Sequence, residues 1–124
     1  MEYILVVDDN ENMQFILSNV LQEKGYEVEC VGNGLDAIKK VRDRIPDLVL
    51  LDIRLPKLGG DKIYKNIAMK MPELLDRVII ITASPHQLHD KLPDHDLRVL
   101  GKPFRYDMFE FHVSDICPPK KRTA

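Results

Sequence analysis

The sequence predicts an α/β fold in which five parallel strands form one sheet with helices on both faces. Three observations carry this. Short apolar runs alternate with helically spaced apolar patterns along most of the chain. One run, Val78-Ile79-Ile80-Ile81, is uninterrupted and β-branched, as expected of a strand buried on both faces. Polar groups of complementary chemistry follow four of the runs, at what would be one carboxyl edge of the sheet.

The first strand is Tyr3-Ile4-Leu5-Val6-Val7, which runs into Asp8-Asp9. Met13, Ile16, Leu17, Val20 and Leu21 then follow helical spacing, with Asn10 as N-cap and Gly25 as the stop. Tyr26 to Val31 alternates and ends at the turn signal Gly32-Asn33-Gly34, which predicts the second strand. Leu35, Ile38, Val41 and Ile45 predict a second helix ended by Pro46. The third strand, Leu48 to Leu51, leads to Asp52. A polar loop with Pro56 and Gly59-Gly60 precedes a third helix that carries Ile63, Ile67 and Met71 on one face and closes at Pro72.

After the fourth strand and Thr82 the pattern thins. Ser84 to Leu92 predicts a short helix with only Leu88 and Leu92 as an apolar stripe, stopped by Pro93. A short fifth strand, Arg98-Val99-Leu100-Gly101, runs into Lys102-Pro103. The last helix is expected from about Arg105 to Ile116.

At 124 residues the chain is long enough for one domain with its own core, expected over 1–117, with 118–124 as a C-terminal tail or linker remnant. A net charge of -2 gives no electrostatic case for nucleic acid or an anionic membrane. No apolar stretch reaches the roughly 18 residues of a membrane span, and no signal-peptide pattern opens the chain. Cys30 and Cys117 lack CxxC or metal spacing and read as free thiols in a reducing, cytoplasmic setting.

The chemistry lies at the strand ends. Clustered acids repel and stay ionised only near a cation. An all-oxygen donor set favours a hard ion such as Mg²⁺. With Mg²⁺ and Lys102, the edge formed by Asp8, Asp9 and Asp52 would attract a phosphoryl group, with Asp52 as candidate nucleophile and Thr82 as hydrogen-bond donor to its oxygens. Taken singly, each residue has a duller role: helix caps for Asp52, Asp8 or Asp9, a loop hydroxyl for Thr82, a surface lysine for Lys102. His86, His89, His95 and His112 share no motif and read as solvated surface, as does the Lys120 to Arg122 run.

In this order and at these separations, several motifs together resemble the receiver domain of two-component response regulators. They are the Asp8-Asp9 pair, Asp52, Leu55-Pro56-x-x-Gly59-Gly60, Thr82-Ala83 and Lys102-Pro103-Phe104. The resemblance covers the chain to about Ile116. It implies a flavodoxin-like sheet of order 2-1-3-4-5, with Asp8, Asp9 and Asp52 at the switch point. It further implies that Asp52 accepts a phosphoryl group from a partner histidine kinase or histidine phosphotransfer protein. Asp9 would bind Mg²⁺ directly, Asp8 mainly through water, and Arg54 through its backbone carbonyl. Lys102 would pair with the phosphoryl oxygens across a cis bond to Pro103, and Thr82 would move toward them. No further output domain is expected in this chain, and the downstream protein is left open.

Three departures from the family stand out. Val99 occupies the position, three before the lysine, where the family usually has Tyr or Phe, and Tyr106 is no obvious substitute. Pro85 and Pro93 interrupt the fourth-helix region. Arg54 and Ser84 occupy variable positions that flank the path of the hydrolytic water, so Arg54 is expected to affect dephosphorylation. Two other readings compete: a receiver-fold interaction module independent of phosphorylation, and an Asp-nucleophile phosphatase. Against the phosphatase, Arg54 stands where the usual Asp-x-Asp motif would need an acid.

Overall fold

Five runs of mostly aliphatic residues pair as parallel strands in a computed structural model that describes residues 2–55, 57–83 and 97–119. The strands are β1 (Tyr3–Val7), β2 (Glu27–Val31), β3 (Leu48–Asp52), β4 (Val78–Thr82) and β5 (Arg98–Gly101). The helices are α1 (Glu11–Glu23), α2 (Gly34–Asp43), α3 (Gly60–Lys70) and α4 (Tyr106–Ile116). The sheet order is β2-β1-β3-β4-β5, as expected. The helix expected over Ser84 to Leu92, Pro56, Ser84, three of the four histidines and the Lys120 to Arg122 run lie outside the described residues.

Alternation along the strands divides the core in two. Leu5, Val7, Val49, Leu51 and Ile80 face α2 and α3, where Ala37, Val41, Ile63 and Ile67 meet them. Ile4, Val6, Leu50, Ile79 and Ile81 face α1 and α4, where Leu17, Leu21, Phe109 and Val113 meet them. Every residue of β1, β3 and β4 is buried, as a parallel sheet covered on both faces requires. Among the described residues no helix is long and apolar enough to cross a membrane. Cys30 and Cys117 are free thiols.

Helix ends follow local chemistry. The Asn10 side chain accepts from the Met13 N–H at 3.0 Å and caps α1. Gly25 adopts φ 94° just past the end of α1, a left-handed turn in which a side chain is strained. Lys102–Pro103 is cis, as expected.

The expected apolar stripes need correction at three positions. Ile16, Leu35 and Ile45 are 54%, 56% and 59% exposed. In α1 the pair Leu17 and Leu21, four apart, faces the sheet, and Ile16 lies one residue, about 100°, to the side. In α2 Ala37 and Val41 make the contact, with Gly34 buried beneath the first turn, so Leu35 points away. Ile45 lies beyond the Arg44 C-cap and is not on the helix. Pro72 does more than close α3: it opens a 3-10 helix, Pro72–Arg77, which buries Leu74.

Candidate functional site

Strand register assembles the site. Val7 pairs with Leu51, so Asp8 and Asp52 emerge side by side at the carboxyl ends of neighbouring strands. Thr82 pairs with Gly101, and the Lys102 N–H donates to the Thr82 carbonyl at 2.7 Å, which turns the lysine toward the same edge. Asp8, Asp52 and Thr82 are the buried polar or charged residues among those described, at 2%, 7% and 1% exposure. Buried acids of this kind need partners.

Those partners are present. The Lys102 ammonium donates to Asp8 Oδ2 at 3.0 Å and to Asp52 Oδ2 at 3.1 Å. The Arg54 N–H donates to Asp52 Oδ1 at 3.0 Å, and the Asn10 N–H to Asp8 Oδ1 at 2.9 Å. Burial pushes the Asp52 carboxyl above its usual range and Asp8 adds to that, while the Arg54 N–H and Lys102 oppose it. Burial alone would lower the Lys102 ammonium, but its bonds to Asp8 and Asp52 outweigh this and raise it.

Asp9 is exposed, and its carboxylate has no partner among the described residues. Carboxylate oxygens of Asp8, Asp9 and Asp52 nevertheless lie within 4.8 Å of one another. Three formal negative charges against the one positive charge of Lys102 leave a deficit of two. This donor set, all oxygen and short of two positive charges, fits a hard divalent cation such as Mg²⁺.

The site therefore brings together Asp8, Asp9, Asp52 and Lys102, with Thr82 at the end of the adjacent strand and Arg54 beside Asp52. The residues that hold the backbone in place are not identified by motif or spacing. A Cβ on Gly60 would lie 2.3 Å from the Asp52 carbonyl oxygen, so only glycine lets α3 start this close to the acid. A Cβ on Gly34 would lie 2.2 Å from the Leu58 carbonyl oxygen, where α2 abuts the loop after β3. In that loop Lys57 adopts φ 68°. Gln14 Nε2 donates to the Asp8 carbonyl at 2.5 Å. Gly32-Asn33-Gly34 reads as a turn and Gly59-Gly60 as part of a polar loop, but which backbone each one approaches depends on the fold.

Residues 4–109 match the response regulator receiver domain family. The chain is 42% identical over 121 residues to sporulation initiation phosphotransferase F of Bacillus subtilis (strain 168), covering 96% of each protein. It is 35% identical over 104 residues to the alkaline phosphatase synthesis transcriptional regulatory protein PhoP of the same strain, where it spans 82% of this chain and 42% of that protein. It spans only 25% of the transcriptional regulatory protein ZraR of Klebsiella oxytoca. Among solved structures, the response regulator TrrA of Thermotoga maritima, in complex with Mg²⁺-BeF, superposes with a TM-score of 0.82 at 35% identity, over 94% of this chain and 99% of that one. TrrA in complex with the histidine kinase ThkA matches at 34% identity, with a TM-score of 0.81 over 94% and 99% of the two chains. Fold, strand-end acids and these relatives agree: the chain belongs to the response regulator receiver domain family of two-component signalling.

Proposed function

We propose that this chain is a phosphoacceptor signalling module in which Asp52 takes a phosphoryl group from a phosphohistidine on a partner kinase or histidine phosphotransfer protein, in a Mg²⁺-dependent step. One observation carries the reading: Lys102 bridges Asp8 and Asp52 at 3.0 and 3.1 Å beside an Asp9 carboxylate that has no partner among the described residues. An Asp52 carboxylate oxygen forms the new P–O bond as the donor's P–N bond breaks, and the imidazole leaves with the bonding pair and takes a proton from solvent. Mg²⁺, when bound, offsets the charge on the transferring oxygens. Asp9, Asp52 and the Arg54 carbonyl would hold it directly, and Asp8 would act mainly through water. The Arg54 N–H and Lys102 favour the ionised, nucleophilic form of Asp52 against the cost of its burial. Lys102 then pairs with the phosphoryl oxygens and the Thr82 hydroxyl donates to one of them.

Residues 1–117 form the receiver unit in this reading, and 118–124 a tail or linker remnant. The complex of TrrA with ThkA supports a histidine kinase as donor. The free thiols support a reducing, cytoplasmic location. The domain makes no nucleic-acid or membrane contact, and phosphorylation switches its binding to a downstream protein. Val99 packs against the α2–α3 core cluster and offers no ring to rotate inward. The switch therefore rests on movement of Thr82 toward the phosphoryl oxygens, without an aromatic ring on β5.

The test is transfer from a purified phosphohistidine donor, followed by acid and base treatment of the product. A Mg²⁺-dependent, base-labile phosphoryl group, abolished by Asp52→Asn, is expected. Binding of a partner that is identical with and without the donor would instead favour a phosphorylation-independent interaction module.

A further inference from the structure

We infer that Gln14 is a positioning residue for the cation site, acting on Asp9 through the Asp8 carbonyl. The inference rests on the phosphoacceptor reading of the site. Since the Asp9 carboxylate has no partner among the described residues, no side-chain bond there fixes it, and its backbone sets the position and direction from which it reaches the site. That backbone hangs from the Asp8–Asp9 peptide. The preceding peptide is held where the Asp8 N–H donates to the Val31 carbonyl at 3.1 Å. The Asp8–Asp9 peptide itself is held where Gln14 Nε2 donates to the Asp8 carbonyl at 2.5 Å. The acceptor is a carbonyl oxygen, so the amide nitrogen of Gln14 is the atom that must face it.

The half-buried Gln14 is itself anchored. Its N–H donates to the Asn10 carbonyl at 3.0 Å, the first turn of α1, while Asn10 caps the same helix and donates its own N–H to Asp8 Oδ1. A Cβ on Gly32 would lie 3.7 Å from Gln14 Nε2 and 4.0 Å from the Asp9 Cα, so the amide is lodged between the turn before α2 and the Asp8–Asp9 peptide. Gln14 therefore ties α1, β1 and the end of β2 at the peptide that aims Asp9. Groups that orient metal ligands without touching the metal govern affinity because they pre-set ligand geometry.

The test uses Gln14→Met, which keeps the length and removes the donor, with Gln14→Ala as second variant should Gln14→Met not fold. Tyr3→Phe is the control. It deletes a hydrogen bond of similar kind, Tyr3 Oη to Glu29 at 2.9 Å, far from the strand ends that carry the acids. Mg²⁺ is titrated calorimetrically into each full-length protein, and stability without Mg²⁺ is measured beside it. Gln14→Met is expected to bind Mg²⁺ about 5- to 20-fold more weakly, while Tyr3→Phe changes stability and leaves Mg²⁺ affinity unaltered. With acetyl phosphate, Gln14→Met should need more Mg²⁺ for half-maximal phosphorylation and reach the unaltered rate at saturation. Mg²⁺ affinity within twofold of the parent in the Gln14 variant would overturn this inference alone. Absence of Mg²⁺ binding by the parent protein would overturn the phosphoacceptor reading and this inference with it.

Discussion

Replacing Lys102 with Met removes an ammonium that bonds both buried acids and keeps most of the side-chain volume. The Asp8 and Asp52 side chains are 3% and 9% exposed, and that of Lys102 is 21% exposed. Breaking a fully buried pair by removing one partner costs about 3–5 kcal/mol, and a charge-assisted hydrogen bond contributes about 1.5–3. Water reaches the ammonium, and Asp52, already raised by burial, can take up a proton once it is gone, so the expected loss is about 2–4 kcal/mol near neutral pH in chelator. The pH dependence has a definite sign. Lys102 is raised above its ordinary 10.5, so its contribution is fully present below 10.5 and fades as pH rises through the folded value. The Asp52 carboxyl is also raised, so ionising it costs stability as pH rises through its window. Acidification protonates it and weakens the pair. The gap between parent and Lys102→Met should therefore be wide at neutral pH and narrow on acidification. Millimolar Mg²⁺, neutralising the same acids, should narrow it too. Urea unfolding at several pH values, with chelator and with Mg²⁺, measures this. A gap below about 0.5 kcal/mol at neutral pH, or one indifferent to both acid and Mg²⁺, would refute the reasoning.

Gly60→Ala sets two effects against each other. Helix propensity alone would favour alanine by up to about 1 kcal/mol. The new Cβ, however, would lie 2.3 Å from the Asp52 carbonyl oxygen and 2.7 Å from the Ile53 Cα, both backbone atoms that cannot rotate away. A net loss of about 1–3 kcal/mol is expected, with slower phosphorylation because Asp52 moves; an unchanged urea midpoint would contradict the packing. Arg54→Ala keeps the backbone N–H that bonds Asp52 Oδ1 and removes the side chain, so phosphorylation should persist while dephosphorylation changes severalfold. Identical decay of the phosphorylated species in parent and variant, followed by mass over time, would exclude the side chain from that step.

Strand identity and the site acids were legible because both depend on local pattern. Leu48 to Leu51 and Val78 to Ile81 are apolar at every position, and a parallel sheet buried on both faces asks for that. Asp8, Asp52 and Lys102 were legible because each directly follows such a run. Helix faces were legible only to within one residue. Spacing alone groups Ile16 with Leu17 and Leu21, but docking on the sheet selects the sector that holds Leu17 and Leu21. Gln14, Gly34 and Gly60 carried no signal of their roles, because each acts on a backbone atom distant in sequence or set by a turn: Asp8, Leu58 and Asp52. Such contacts exist only once strand order and register have brought the segments together.

The most direct test of the central claim is intact-protein mass after incubation with acetyl phosphate, with and without Mg²⁺, for the parent and Asp52→Asn. The account predicts a gain of one phosphoryl group in the parent only, dependent on Mg²⁺ and reversed by mild base. A gain that persists in Asp52→Asn, or no gain in a folded parent protein with either a small donor or a phosphohistidine donor, would contradict it.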